Sequence, residues 1–211
     1  MLFIDRFDAA LKLIPGLRNY RNENGVIYAI PGGGVPIGYY LAKDYNFPMH
    51  LLLSKKIKHP HENGLSIGAV GVHDQMFDER LNIPPSYIKN EISKIRKSFK
   101  DRYGNMMDVH QKSDLKGKMV FIVDDGIETG NTMLSAIRMV RAQNPKKIIV
   151  VTPIASSNSV AKIEKEADDF YCLHILKNPV ALGANYLNFS SVTDKEIQQL
   201  LKAANRLENA A

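Results

Sequence analysis

Five short apolar runs, each rich in valine and isoleucine and most of them followed by a helical pattern, leave this chain few folds to choose from. They are VIYAI (Val26 to Ile30), MHLLLS (Met49 to Ser54), MVFIVD (Met119 to Asp124), KIIVVTPIA (Lys147 to Ala155) and DFYCLHIL (Asp169 to Leu176). Continuous apolar runs of this length read as central parallel strands buried on both faces, because a half-solvated strand would alternate polar and apolar residues. VPIGYYLAKDY follows the first run, TMLSAIRMVRAQ the third and SNSVAKIEKEA the fourth. In the middle one Met133, Ala136, Ile137 and Val140 share a face, and Asn144 with Pro145 ends it. The alternation predicts an α/β fold with a mostly parallel sheet flanked by helices. At 211 residues, 45% hydrophobic and 24% charged, the chain can build one substantial core, so residues 1–211 read as a single domain.

Two segments break the rhythm. From about residue 55 to 80, KKIKHPHENGLSIGAVGVHDQMFDER joins a polar, glycine-containing loop to two short possible strands, which predicts a flexible flap or hairpin. From about residue 177 to 211 the chain leaves the main sheet. There Thr193 and Glu196 form a capping box for a last helix, giving a small C-terminal cap. Between these segments KNEISKIRKSFKDR carries much of the positive charge, but Ile88, Ile92, Ile95 and Phe99 make it a helix with one buried stripe and a solvated basic face.

The net charge of +6 favours anionic partners without distinguishing a nucleic acid from a small polyphosphate. No helix-turn-helix or RNA-binding motif accompanies it, so a nucleic-acid partner is not expected. The single cysteine, Cys172, excludes a disulfide framework and reads as a small apolar filler. No stretch has the length to span a bilayer or the uninterrupted core of a signal peptide, and a cytoplasmic location is expected. His59 and His61 flank Pro60 with no cluster of acids or cysteines nearby, which reads as solvent-facing rather than metal-binding.

VFIVDDGIETGNTM, residues Val120 to Met133, poses the chemical question. A turn between a strand and a helix offers free backbone N–H groups and the positive end of a helix dipole, so it attracts anions. This one nevertheless holds Asp124, Asp125 and Glu128. A ligand with a vicinal diol beside a phosphate needs both: carboxylates accept from its hydroxyls while the N–H groups and the threonine hydroxyls hold the phosphate. Ribose 5-phosphate has that layout. Ligands of open parallel sheets bind outside the carboxyl ends of the strands, where this turn falls.

The segment resembles the phosphoribosyl diphosphate (PRPP) binding motif of type I phosphoribosyltransferases: an apolar strand, two acids, then a Thr-Gly-x-Thr loop. It differs from the Walker loop, which needs a lysine before its final Ser/Thr, and from the G-x-G-x-x-G fingerprint. IYAIPGGGVPIGYYLA is similar to the family's first-strand loop, which contacts pyrophosphate, and LLLSKKIKHPHENGLSIGAVG to the stretch leading into its flexible loop. With NFSSVTDKEI near the end, the likeness spans nearly the whole chain and is strongest to bacterial members whose substrate is not established.

The resemblance implies the type I phosphoribosyltransferase fold and transfer of a phosphoribosyl group from PRPP to a nitrogen nucleophile, a nucleobase or related amine, with release of pyrophosphate. It implies that Asp124 and Asp125 hold the ribose hydroxyls, directly or through Mg2+, and that Gly126, Ile127, Glu128, Thr129, Gly130, Asn131 and Thr132 wrap the 5-phosphate. Gly32, Gly33 and Gly34 would bring N–H groups to the pyrophosphate in a loop able to hold a strained or cis peptide. Lys55, Lys56 and Lys58 would supply cations near the leaving group, Lys56 and Lys58 as catalytic residues. A homodimer is implied as well. Relatives carry a cation where this chain has Gly32, a small or hydroxylic residue at Glu128 and a glutamate at Gly64. The same fold could serve instead as a non-catalytic module that senses PRPP or a nucleotide. A tight turn alone also asks for glycines, and exposed basic loops are common. Tyr186 and Phe189 either stack on a base or pack the cap.

Overall fold

A computed structural model describes residues 2–62, 65–77, 83–106, 114–177 and 181–208. In chain order the elements are α1 (Arg6–Leu13), β1 (Gly25–Ala29), α2 (Gly34–Tyr45), β2 (Met49–Leu51), β3 (Ser54–Lys58), β4 (Ser66–Gly71), β5 (Gln75–Phe77), α3 (Pro85–Tyr103), β6 (Met119–Val123), α4 (Asn131–Arg141), β7 (Lys147–Ser156), α5 (Ser157–Ile163), β8 (Asp169–Leu176) and α6 (Asp194–Glu208). Short 3-10 helices cover Ile14–Tyr20 and Leu182–Asn185.

The main sheet has five strands in the order β2-β1-β6-β7-β8, all neighbours parallel. Period-two alternation divides its side chains between two cores. Ile27, Phe121, Val123 and Ile149 face the core shared with α1, α2 and α6. Val26, Val120, Ile122, Ile148 and Val150 face the core under α4 and α5. Coverage on both faces explains the unbroken apolar runs. Each fully buried Phe or Ile of this kind is worth roughly 1.5–3 kcal/mol of transfer free energy, which holds the strand ends rigidly under the loops they carry.

The architecture is the expected one, with three corrections. DFYCLHIL forms the edge strand β8, and most of it is only half-buried; its apolar content serves one neighbour, β7, rather than two. MHLLLS stops pairing at Leu51, and Ser54 begins a different sheet. The flap contains three strands rather than two, the antiparallel sheet β3-β4-β5, and the first lies in the lysine-rich SKKIK segment. Basic composition hid that strand, although Ile57 is buried within it.

The helix with the basic face forms as read: Ile95, Phe99 and Tyr103 are buried, and Ile88 and Ile92 pack partly against the same core. Thr193 caps α6, its hydroxyl accepting from the Glu196 N–H at 3.2 Å. Ile197, Leu201 and Ala204 then anchor that helix in the core shared with α2. The segment before α6 returns to the start of the chain. The Phe3 N–H donates to Asn185 O, and Leu187 N–H donates back to Phe3 O, both at 2.8 Å. Cys172 is half-buried, its thiol donating to His174 O, and burial pushes its pKa up to about 11. Among the described residues no helix is long and apolar enough to cross a membrane.

Candidate functional site

Two strand-to-helix turns meet at the carboxyl ends of the adjacent strands β1 and β6. The first runs from Ile30 to Gly34 and opens α2; the second runs from Asp124 to Gly130 and opens α4. They are tied where they start, Ile30 N–H donating to Val123 O at 2.9 Å.

The second turn has its backbone sorted by polarity. Ile127 is buried and bridges Ala155, its N–H donating to Ile154 O at 2.9 Å and its carbonyl accepting from Ser156 N–H at 2.9 Å. The Ser159 hydroxyl also donates to Ile127 O, the Ser156 hydroxyl to Glu128 O and the Lys162 ammonium to Thr129 O. The carbonyls are thus engaged from the α5 side. The N–H groups of Glu128, Thr129 and Gly130 donate to no protein acceptor among the described residues. Glu128, Thr129, Asn131 and Thr132 are exposed, and Gly130 takes φ +74 to turn into α4. Free N–H groups, two threonine hydroxyls and a helix start make a ready anion cradle.

The first turn offers a second set. Gly32, Gly33 and Gly34 also have N–H groups without a protein acceptor. Gly32 sits at φ +99 with open space where a side chain would be, so the strain of an L-residue rather than crowding defends glycine here. Among the described residues every peptide bond is trans, so of the strained or cis peptide expected in this loop the cis form is not the one adopted. A Cβ built at Gly33 would lie 1.7 Å from Asp125 Oδ2, so any larger residue there must displace that carboxylate.

Asp124 and Asp125 stand between the two turns. Asp125 N–H donates to Asp124 Oδ1 at 2.9 Å. Burial first, and the neighbouring Asp125 charge second, push the Asp124 pKa well above the usual carboxylate range. Asp125 has a partner that sequence reading missed. Arg6, at the start of α1, donates from Nε to Asp125 Oδ2 at 2.8 Å and from Nη1 to Ser190 O at 2.7 Å, and stacks its guanidinium 4.3 Å from the centre of the Phe189 ring. The pair is mostly buried, with 11% and 14% of the two side chains exposed. Nothing local marks Arg6, which reads as one of several charges on an amphipathic helix.

Tyr186 packs the cap. It is buried against Phe3 and Phe189, and its hydroxyl donates to Asp125 O at 2.7 Å. Leu182 of the same segment lies against Gly126, where a Cβ would approach within 2.8 Å of its Cδ1. The flap lysines diverge: Lys55 and Lys58 are exposed, whereas Lys56 is half-buried in a cleft against α4. His59 Nδ1 accepts from the backbone N–H groups of His61 and Glu62, closing a turn. Gly64 lies outside the described residues.

The donor set bears on magnesium. Two adjacent carboxylates supply hard oxygen ligands but not a full shell, and no cluster of three or more candidate ligands occurs among the described residues. That suits Mg2+, which is held by one or two carboxylates and completes its octahedron with water and substrate phosphate oxygens.

The family description "Phosphoribosyl transferase domain" matches residues 7–187. Over 97% of its length the chain is 29% identical to the provisionally named phosphoribosyl transferase Rv0571c of Mycobacterium tuberculosis, and it spans only 47% of that protein. The crystal structure of TT1426 from Thermus thermophilus superposes with a TM-score of 0.86 at 28% identity, covering 95% of this chain and 98% of that one. A shorter match of 70 residues, 33% identical, covers 32% of this chain and 25% of the ribose-phosphate pyrophosphokinase of Thermococcus kodakarensis.

Proposed function

The chain belongs to the phosphoribosyl transferase domain family, and from that premise we propose that it transfers the phosphoribosyl group of PRPP to a nitrogen nucleophile, a nucleobase or related amine, and releases pyrophosphate. One observation carries the reading: an acid pair flanked by two sets of free backbone N–H groups, at the carboxyl ends of adjacent parallel strands. A diol between two phosphate groups is the ligand that matches this order of acceptors and donors.

In this reading residues 126–132 hold the 5-phosphate, and Gly32, Gly33 and Gly34 hold the pyrophosphate. Asp124 and Asp125 take the ribose hydroxyls. Where Mg2+ binds at the same acids, it offsets the charge of the pyrophosphate oxygens. Breaking the bond from C1 to the leaving oxygen sends the electron pair to pyrophosphate and leaves positive charge on the ribose ring. The acceptor's nitrogen lone pair closes the new bond, and the nitrogen loses its proton. The acids face the cationic ring, while the backbone N–H groups face the departing anion, so opposite charges meet opposite poles already in position. Lys55 and Lys58 are free to approach that anion; Lys56 does so only by leaving its cleft.

Two copies of the chain are expected to pair, a reading tested by mass in solution. The function itself is tested in two steps. PRPP with Mg2+ should raise the melting temperature, since a ligand bound only by the folded state stabilises it. Pyrophosphate release should then appear with at least one member of a panel of purine and pyrimidine bases. A thermal shift without release for any base would favour a sensor of PRPP over an enzyme.

A further inference from the structure

A cleft of about 600 Å³ lies between the flap sheet and the outer face of α4, adjoining the site described above at Asn131. Its polar wall comes from Lys56 on β3 and from Asn131, Ser135 and Arg138, a stripe at helical spacing on the side of α4 turned away from the main sheet. Met76 on β5, in register with Ala69 and Lys56 on the same face of the flap sheet, supplies an apolar wall. The volume falls inside the range of small-molecule sites, about 300–1,000 Å³.

Its charge is unbalanced. Among the described residues none that lines the cleft is acidic. Lys56 has no carboxylate partner among the described residues. Arg138 is paired on one side with Glu166 at 2.6 Å. Lys162 holds only the Thr129 carbonyl, at 3.5 Å. Burial first, then the charges of Arg138 and Lys162, disfavour the Lys56 ammonium. Like charges held together over an apolar wall cost free energy that an anion would recover.

We propose that this cleft binds a second ligand, a phosphate monoester of nucleotide size, with its phosphate at Lys56 and Arg138 and its ring against Met76. The two ligand sites meet at Asn131, which opens α4 beside the phosphate loop and also lines the cleft. An occupant of the cleft therefore touches the first residue of the helix that carries the other site.

The chain contains no tryptophan, so Met76→Trp installs a single fluorescent reporter in the cleft wall. Titration of this variant with AMP, without magnesium, should give a saturable fluorescence change, and inorganic phosphate should bind at least about tenfold more weakly for want of the ring. In the same background Lys56→Ala should weaken AMP by about tenfold or more, and Lys56→Arg should restore most of the affinity. Asp124→Asn with Asp125→Asn should leave the AMP response unchanged, which separates the cleft from the sugar site. Calorimetry in the Asp124→Asn, Asp125→Asn background, with and without Arg138→Glu, repeats the test without the reporter, and the AMP heat should be lost with Arg138→Glu. No saturable response in either format, an unchanged affinity in Lys56→Ala, or a response abolished by the acid-pair substitutions would overturn the assignment.

Discussion

The carboxylate of Asp125 fills the space in which Gly33 would carry a side chain, its Oδ2 1.7 Å from the position of a Cβ built there. The acid and the anion loop thus share one surface, and neither moves without the other.

Gly33→Ala should consequently spare the fold and damage the site. Gly33 has φ −67, which alanine adopts freely, so only the displacement of Asp125 is at issue. Losing a hydrogen bond to a charged group costs roughly 1.5–3 kcal/mol, or about ten- to a hundredfold in affinity. The stabilisation by PRPP with Mg2+ should shrink accordingly, and the ligand-free melting temperature should fall too, because the displaced oxygen is the one that accepts from Arg6. An undiminished ligand shift would show that Asp125 does not contact the sugar.

Asp124 leads to a prediction about pH. Burial and the adjacent Asp125 raise its pKa on folding, so the folded state holds a proton that the unfolded state releases as pH climbs above the ordinary carboxylate value. The linked penalty is absent at low pH and grows as pH rises from the unfolded toward the folded pKa. Asp124→Asn removes it. In chelator, the variant should melt above the parent at pH 7, and the gap should close as pH falls below about 4. Equal melting curves at pH 7 would contradict the assigned direction. The same variant should lose the PRPP-induced shift, a trade of function for stability.

Removing Arg6 should have the opposite effect on stability. Arg6→Ala leaves Asp125 beside Asp124 with no cation, and breaking a buried pair from one side costs several kcal/mol; with some solvent at this mouth, about 2–3 is expected. Added magnesium should recover more of the melting temperature in the variant than in the parent, because the ion supplies the missing positive charge. Chemical denaturation with and without Mg2+ measures both effects.

The flap lysines separate a transition-state contact from a solvated surface. If Lys58 meets the departing pyrophosphate, Lys58→Ala should lower kcat by about a hundredfold with little change in KM, since the contact strengthens as charge gathers on the leaving group. Lys55→Ala and Lys56→Ala complete the comparison. Near-parental turnover in all three would remove these residues from the chemistry.

The sheet and its strand-to-helix turn after β6 were legible because both are local. Strands buried on two faces write themselves as apolar runs, and the loop from Asp124 to Thr132 is contiguous. Relationships across the chain were not. Arg6 reaches Asp125 over 119 positions, and no spacing rule connects a residue on an N-terminal helix to the end of β6. The strand SKKIK was hidden because its lysines meet solvent and a cleft rather than a core, leaving Ile57 as its single fully buried residue. The edge position of β8 escaped notice for a related reason: an apolar run reports burial but does not say whether one neighbouring strand or two supplies it.

The clasp between the start of the chain and the segment near Ser190 also imposes an order of assembly. Arg6 and Ser190 are 184 positions apart, yet the guanidinium that pairs with Asp125 also donates to Ser190 O. During synthesis, at roughly 5–20 residues per second, the sheet and both anion loops are in hand well before Ser190 leaves the ribosome. Until then Asp125 has neither its guanidinium partner in place nor the Tyr186 hydroxyl on its carbonyl. The nascent chain therefore passes through an interval in which Asp125 lacks the clasp that holds it, and the site is completed only when both ends of the clasp are present.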